Sequence, residues 1–116
     1  MPENQQKLSE NLEDYLETIS SLSAGTGAAR PSDIAAAMSV KRPSVTAALN
    51  SLREKGLVEY EKYKPVTLTK DGEAVAMNVR RKHRLLSDFF TGVLGVNASE
   101  ADLAACRMEH ALEDSI

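Results

Sequence analysis

The stretch RPSDIAAAMSVKRPSVTAALNSLREKGLVEYEKYKPVTLTKDGE, Arg30 to Glu73, carries two helix patterns separated by a short turn and followed by two strand patterns. Pro31 predicts the start of the first helix, and the second begins at about Pro43 and closes at Gly56, because proline suits the first turn of a helix and glycine its end. β-Branched and aromatic residues on either side of KYKP predict a hairpin in which Pro65 limits pairing. Helix, turn, helix and hairpin in this order predict a winged helix-turn-helix.

Further helical patterns lie on both sides of this stretch. Apolar residues at helical spacing predict an amphipathic helix over residues 8–23. A long helix is predicted from Asp71 to about Leu94, and a last helix begins at NASE, where Asn97 and Glu100 have capping-box spacing, and continues to the terminus. The predicted fold class is therefore mainly α, with a winged helix-turn-helix domain at 1–72 and a linking helix opening a second helical domain at 73–116.

Composition narrows the class of protein. Hydrophobic residues make up 42% of the chain and aromatic residues 4%, which favours a modest core built by helix packing. The polar start and the lack of a long apolar run predict a cytoplasmic protein without membrane partners. Cys106 is the single cysteine, so it predicts a free thiol available for packing, redox chemistry or metal binding.

Charge is unevenly distributed along the chain. The net charge is −3, but Arg30 to Arg84 holds 12 Lys and Arg against 6 Asp and Glu, and the remaining segments hold 2 against 11. A basic middle between acidic ends indicates one surface for a polyanion and another for cations, although solvated helix faces of different charge would give the same counts.

Polar residues of the second helix and the hairpin are the candidate DNA contacts. In a winged helix-turn-helix the helix after the turn enters the major groove, while its flanks and the wing contact phosphates. Arg42 suits guanine edges, Asn50 suits adenine, and Ser44 suits phosphates or bases. A single lysine is more often a solvated surface charge, but the whole group favours double-stranded DNA. The candidates are Lys41, Arg42, Pro43, Ser44, Thr46, Asn50, Lys62, Tyr63 and Lys64.

The segment ACRMEH, residues 105–110, gathers a thiol, a carboxylate and an imidazole. On a helix, Cys106, Glu109 and His110 stand at i, i+3 and i+4, so they are predicted to share one face that chelates a cation. These side chains are main ligand types for first-row divalent metals. Packing of a buried cysteine and solvation of a polar helix face are the competing interpretations.

The sequence resembles the diphtheria-toxin-repressor family of metal-dependent transcriptional regulators, which includes the manganese transport regulators. The resemblance rests on EDYLETI in the first helix, the winged stretch quoted above, RKHRLL in the linking helix and CRMEH in the last. It implies a metal site whose ligands are Asp14, Glu17, His83, Cys106, Glu109 and His110.

The resemblance leaves the metal open between manganese and iron. Manganese-responsive members also have aspartate at position 14, whereas iron-responsive members also have cysteine at position 106. Carboxylates favour Mn(II) and thiolate favours Fe(II) or other first-row ions, which are expected to bind in vitro. An additional site of the iron type uses positions that are Ser87 and Asp102 here, so the resemblance implies that this site is absent or altered.

The implied function is a non-enzymatic, metal-dependent repressor that uses Mn(II) or Fe(II) as corepressor and controls metal-homeostasis genes. It would bind operator DNA as a homodimer, and residues 73–116 would be only the start of its dimerisation domain. One alternative is a metal-independent winged-helix regulator that senses a small molecule or oxidation of Cys106. A small metal-dependent hydrolase and a protein-interaction module are more distant alternatives.

Overall fold

The computed structural model describes residues 8–116 and is mainly helical, which confirms the predicted fold class. The polar residues 1–7, part of the evidence for a cytoplasmic location, lie outside the described residues. The helices are α1 (Glu10–Ser23), α2 (Pro31–Met38), α3 (Arg42–Glu54), α4 (Lys70–Gly92) and α5 (Ala98–Met108). Two short strands, β1 (Val58–Glu59) and β2 (Thr67–Leu68), lie between α3 and α4, and a 3-10 turn (Glu109–Ala111) follows α5.

The chain forms two compact units, one ending at Ala76 and the other running from Met77 to Ile116. The division falls inside α4, whereas the sequence interpretation places the domain boundary between residues 72 and 73. A helix that continues through a boundary carries no local sequence signal at the point of division, because its hydrogen-bond pattern is unbroken.

The core of the first unit combines one face of each of its first three helices with the hairpin. Ser9 caps α1 by accepting a hydrogen bond from the backbone N–H of Leu12 at 3.2 Å. Apolar side chains recur at helical spacing because only that spacing keeps them on one face. The fully buried members are Leu16, Ile19, Ile34, Val45, Leu49, Leu52 and Val66.

The two strands of the wing are shorter than the sequence predicts, and a residue outside the hairpin forms an additional backbone bridge with the wing. β1 and β2 are antiparallel, with Val58 opposite Leu68. Ala29, just before α2, forms a further bridge with Val66, with N···O distances of 2.9 and 2.7 Å. No strand pattern in the sequence predicts this bridge, because Ala29 lies in a loop.

Two residues fasten the start of α4 to the base of the wing. The Thr69 hydroxyl accepts a hydrogen bond from the Gly72 N–H at 3.0 Å and donates one to the Gly56 carbonyl at 2.7 Å. Gly72 lies so close to Leu57, the residue before β1, that a Cβ atom there would lie 1.9 Å from the Leu57 carbonyl oxygen. The glycine is therefore required by close approach of two backbone segments.

The last helix of the second unit begins where the sequence predicts, but it ends before the terminus. The Asn97 side chain accepts a hydrogen bond from the Glu100 N–H at 2.9 Å and donates one to the Glu100 carboxylate at 3.0 Å, which confirms the cap. The expectation that this helix continues to the terminus is wrong, because α5 ends at Met108 and the 3-10 turn follows. Within the part of the chain that the structure describes, no helix has the length and apolar character needed to cross a membrane.

The segment after the turn, residues 112–116, is held by side chains of α4; we call it the strap. Lys82 donates to the Leu112 carbonyl at 2.9 Å, and Arg81 donates to the carbonyls of Asp114 and Ile116 at 2.8 and 2.7 Å. Carbonyl groups that a continuing helix would pair internally are here paired with α4, which explains why the helix stops.

Candidate DNA-binding face and metal centre

A concave surface of about 720 Å³ lies between α3 and the wing in the first unit. It has both basic groups and polar side chains able to read base edges. The predicted DNA contacts that line it are Arg42, Thr46, Asn50, Lys62, Tyr63 and Lys64.

The tip of the wing is exposed and conformationally unusual. The Tyr63 side chain is 90% exposed, and its backbone has a positive φ of 69°. Non-glycine residues seldom adopt this conformation, and where they do they often belong to functional turns. The Lys62 ammonium lies 5.2 Å from the centre of the Tyr63 ring, and Lys64 pairs with Glu61 at 3.1 Å. Lys62 and Tyr63 therefore present a cation and a ring together at the tip.

The remaining predicted DNA contacts lie at the start of α3 and do not line the concave surface. Lys41, Pro43 and Ser44 are exposed. Lys41 is the N-cap residue, with no side-chain cap, and its carbonyl accepts from the Ser44 N–H at 3.0 Å. An exposed helix start presents backbone N–H groups and favours negative charge, so this end suits a phosphate.

Sequence reasoning missed two residues of this face. Arg30 and Ser32, at the start of α2, also line the concave surface. The signal available was the position of Arg30 directly before the Pro31 helix start, but nothing in a local pattern shows that this end of α2 opens beside the wing.

The second unit contains a candidate metal-ligand cluster, which we define as His83, Asp102, Cys106, Glu109 and His110. His83 lies on α4, Asp102 and Cys106 lie one turn apart on α5, and Glu109 and His110 lie in the 3-10 turn. α5 ends at Met108, but the 3-10 turn continues the helical backbone, and Cys106 and Glu109 both approach Nδ1 of His83.

His83 is the centre of this cluster. Its Nδ1 lies 2.7 Å from Glu109 Oε1 and 3.7 Å from the Cys106 sulfur, and its Nε2 lies 2.7 Å from Asp102 Oδ1. Burial of the ring lowers the pKa of His83, but hydrogen bonds to Asp102 and Glu109 and the charges of both carboxylates outweigh it and raise that pKa above its ordinary value. The ring thus donates a proton to each carboxylate in its imidazolium form.

Glu109 joins the two histidines. Its carboxylate is buried, with the residue 1% exposed, and its second oxygen lies 3.4 Å from His110 Nε2. His110 is buried as well, whereas Cys106 is exposed and Asp102 keeps 65% of its side-chain surface. The cluster therefore has a buried part, Glu109 and His110, and a solvent-facing part, Asp102 and Cys106.

Asp102 is a partner of His83 that sequence reasoning did not identify. The resemblance assigns its position to a site expected to be absent or altered, and Ser87 is the other position of that site. In the structure Asp102 contacts His83 directly. The available signal was the spacing of Asp102 and Cys106, which are four residues apart and so share a helix face.

Asp14 and Glu17, the remaining predicted ligands, lie on α1 in the first unit. Both are half-buried and one helical turn apart, with Tyr15 and Leu16 buried between them. Their spacing places the two carboxylates on one side of α1, as the sequence predicts.

A winged helix-turn-helix with a basic concave face, and a cluster of imidazole, thiol and carboxylate side chains, define a DNA-binding protein with a candidate metal centre. Residues 7–66 match the family model for the N-terminal DNA-binding domain of iron dependent repressors. Residues 69–116 match the model for the metal-binding and dimerisation domain of the same repressors. The chain belongs to this iron-dependent repressor family, which confirms the resemblance seen in the sequence.

Individual relatives agree with the family. The chain is 33% identical to an uncharacterised helix-turn-helix transcriptional regulator of Methanocaldococcus jannaschii, over 94% of this chain and 88% of that protein. It is 39% identical to the Escherichia coli transcriptional regulator MntR, over 87% of this chain and 64% of MntR. The solved structure of the manganese regulator SloR matches with a TM-score of 0.76 and 34% identity, over 92% of this chain and 50% of SloR. The chain thus spans about two thirds or less of the longer relatives.

Proposed function

We propose that this protein is a metal-dependent, DNA-binding transcriptional repressor that uses Mn(II) or Fe(II) as corepressor and controls metal-homeostasis genes. The observation that carries the proposal is the convergence of His83, Cys106 and Glu109 in the unit that matches a metal-binding domain. The protein acts in the cytoplasm and has no enzymatic role in this proposal.

The donor set fits a first-row divalent cation. Imidazole, thiolate and carboxylate are the protein ligands that such ions use, and this chain places all three types around His83. His83, Cys106, Glu109 and His110 are the proposed ligands from the second unit. The family resemblance adds Asp14 and Glu17, and this part of the ligand set rests on the resemblance alone.

Binding of a cation to the cluster would change the protonation state of His83. Without a cation, Asp102 and Glu109 raise the pKa of His83 despite its burial and so favour its imidazolium form beside them. A bound divalent cation supplies positive charge to the same carboxylates, and a ligand histidine must be neutral. As a ligand of such an ion, His83 would be neutral, and the ion would replace it as the positively charged neighbour of the buried Glu109.

The first unit supplies the DNA contacts. In this proposal α3 enters the major groove, with Arg42 reading guanine and Asn50 reading adenine. Thr46 and Ser44 contact bases or phosphates beside them. Lys41, Lys62 and Lys64 contact phosphates, which supply most of the affinity and make it sensitive to salt.

A homodimer completes the proposal. Of the described residues, most exposed large apolar side chains belong to the second unit, among them Met77, Phe89, Val93, Leu94 and Leu103. Exposed apolar groups concentrated in one unit indicate a protein contact surface. A metal that favours the DNA-competent arrangement by about 1–3 kcal/mol per site would be sufficient for regulation, since this is the usual size of coupling between sites.

Anaerobic titration of chelator-treated protein with Mn(II) and Fe(II) tests the proposal. Bound ions per chain and retention of duplexes selected from a random-sequence pool are measured in the same samples. We expect retention to require the ion, Glu109→Gln to abolish the ion-dependent part, and Glu113→Gln, an exposed glutamate in the strap, to leave it unchanged. Retention without any bound ion would instead support a metal-independent winged-helix regulator.

A further inference from the structure

The 3-10 turn that carries Glu109 and His110 is held by α4 at both of its ends. At the first end, His83 Nδ1 lies 2.7 Å from Glu109 Oε1. Just after the turn, Lys82 donates a hydrogen bond to the Leu112 carbonyl at 2.9 Å. A hydrogen bond of 3.3 Å from the Leu112 N–H to the Glu109 carbonyl joins these two points. Two consecutive residues of α4 therefore hold the segment that contains two of the proposed metal ligands.

Other side chains of α4 hold the strap farther along the chain, around Asp114. The Asn78 amide donates to Asp114 Oδ1 at 2.8 Å, and the Lys82 ammonium lies 2.5 Å from the same oxygen. Arg81 donates to the Asp114 carbonyl at 2.8 Å. Asn78, Arg81 and Lys82 stand at i, i+3 and i+4, so they lie on one face of α4. This face therefore fixes the path of the chain that leaves the turn.

Lys82 is buried although it carries a charge. The residue is 3% exposed, whereas the Asp114 side chain is 80% exposed. Burial of an ammonium is unfavourable unless the group is paired, and an apolar side chain of similar volume would avoid that cost. An apolar side chain would, however, leave the Leu112 carbonyl without this donor. The contact with the strap therefore accounts for the buried charge.

We propose that Lys82 is a positioning residue of the metal centre: by fastening the strap, it holds the turn at the depth where Glu109 meets His83. The inference rests on the proposed function, because Glu109 and His110 are metal ligands there. A 3-10 turn of three residues has few hydrogen bonds of its own, so contacts outside the turn set its position. Because coupling between two events is reciprocal, closure of the strap and metal binding favour each other.

The charge of Lys82 gives an opposite expectation. A buried ammonium repels a nearby cation, so removal of Lys82 would raise metal affinity if the residue acted on the metal through its charge alone. Positioning predicts that metal affinity falls when Lys82 is replaced. The direction of the change in Lys82→Met therefore separates the two effects.

Two measurements test the proposal, one without metal and one with Mn(II) as the probe. In the metal-free protein, Lys82→Met should speed amide hydrogen exchange in residues 109–116 by about tenfold or more, since a hydrogen bond from a charged donor is worth a factor of that size. Electron paramagnetic resonance of free Mn(II) then gives the affinity. It should fall by about 10–100-fold in Lys82→Met, the usual effect of removing a partner that orients a ligand.

Three further variants distinguish positioning from a general loss of stability. Ile34→Val lowers stability in the core of the first unit, does not touch the strap and should keep the Mn(II) affinity of wild type. Asp114→Ala, a change at an exposed side chain, should speed exchange and weaken Mn(II) binding, both by less than Lys82→Met. Lys82→Arg keeps a charged donor and should restore part of the affinity.

The outcomes separate this inference from the proposed function. Unchanged or higher Mn(II) affinity in both Lys82→Met and Asp114→Ala would overturn the positioning role and leave the proposed repressor standing. An affinity loss of the same size in Ile34→Val would also overturn it, because the loss would then follow stability alone. Wild type that binds neither Mn(II) nor Fe(II) would overturn both.

Discussion

Lys82 is the buried cation of the second unit, and its replacement by methionine tests how the strap is held. The residue is 3% exposed, its Nζ donates to the Leu112 carbonyl at 2.9 Å and lies 2.5 Å from Asp114 Oδ1. Methionine keeps most of the aliphatic volume and removes the charge. We expect Lys82→Met to lower the free energy of unfolding of the metal-free protein.

The magnitude follows from the two contacts. A hydrogen bond from a charged donor contributes about 1.5–3 kcal/mol. The ion pair adds about 0–1 kcal/mol, because the Asp114 side chain is 80% exposed and water screens it. Methionine avoids the cost of burying an ammonium, which offsets part of the loss. The net expectation is about 1–3 kcal/mol for Lys82→Met, and less than about 1 kcal/mol for Asp114→Asn, whose amide oxygen still accepts.

Urea unfolding followed by circular dichroism measures this loss, with Arg84→Met as the matched control on the exposed side of α4. A surface change of this kind is worth about 0.5 kcal/mol or less. Because the strap follows the turn that contains Glu109 and His110, the affinity of Lys82→Met for Mn(II) should fall as well. Equal stability of Lys82→Met and Arg84→Met would refute the reasoning, since the two contacts would then contribute nothing net.

Three other predictions concern separate parts of the molecule. Gly72→Ala should destabilise the protein by about 1–3 kcal/mol in urea unfolding, because its Cβ would lie 1.9 Å from the Leu57 carbonyl oxygen; a more stable variant, as helix propensity alone predicts, would contradict this. Lys62→Ala should weaken DNA binding evenly across sequences and reduce the slope of log K against log salt by about 1, measured by fluorescence anisotropy, and an unchanged slope would exclude a phosphate contact. Burial lowers the pKa of His83 but its two carboxylate partners raise it further, so its contribution to metal-free stability is complete below the unfolded pKa and is lost as pH rises through the folded pKa. His83→Asn should remove that loss, and identical pH profiles of unfolding for variant and wild type would show that the contacts have no energetic effect.

Local signals accounted for the features that the sequence predicted correctly. The Asn97 cap, the helix starts at Pro31 and beside Pro43, and the two strands depend on residues within a few positions of each other. Cap and turn preferences act over the same short range, so they can be recognised from the sequence alone. The end of α5 was misjudged because its cause, the pairing of the strap with α4, lies about 30 residues away along the chain.

The ligand cluster shows the same division. Cysteine, glutamate and histidine in ACRMEH predicted metal chemistry from residue type, and Cys106 and Glu109 both approach His83 although α5 ends at Met108. Asp102 went unrecognised as a partner of His83 because the two residues are 19 positions apart. Sequence thus identified the chemical character of the region and left the pairing of its members open.

By itself, the sequence determined the order of the helices and the wing, the basic middle of the chain and the family. Periodicity and capping signals involve residues that are close together in the sequence, so they can be recognised without the structure. Only the tertiary structure decided that His83 stands between Asp102 and Glu109, and that Lys82 holds the strap. The physical reason is that such contacts depend on the rotation and depth at which two helices pack. Interdigitating side chains along the whole helix surface set those quantities, and no local pattern specifies them.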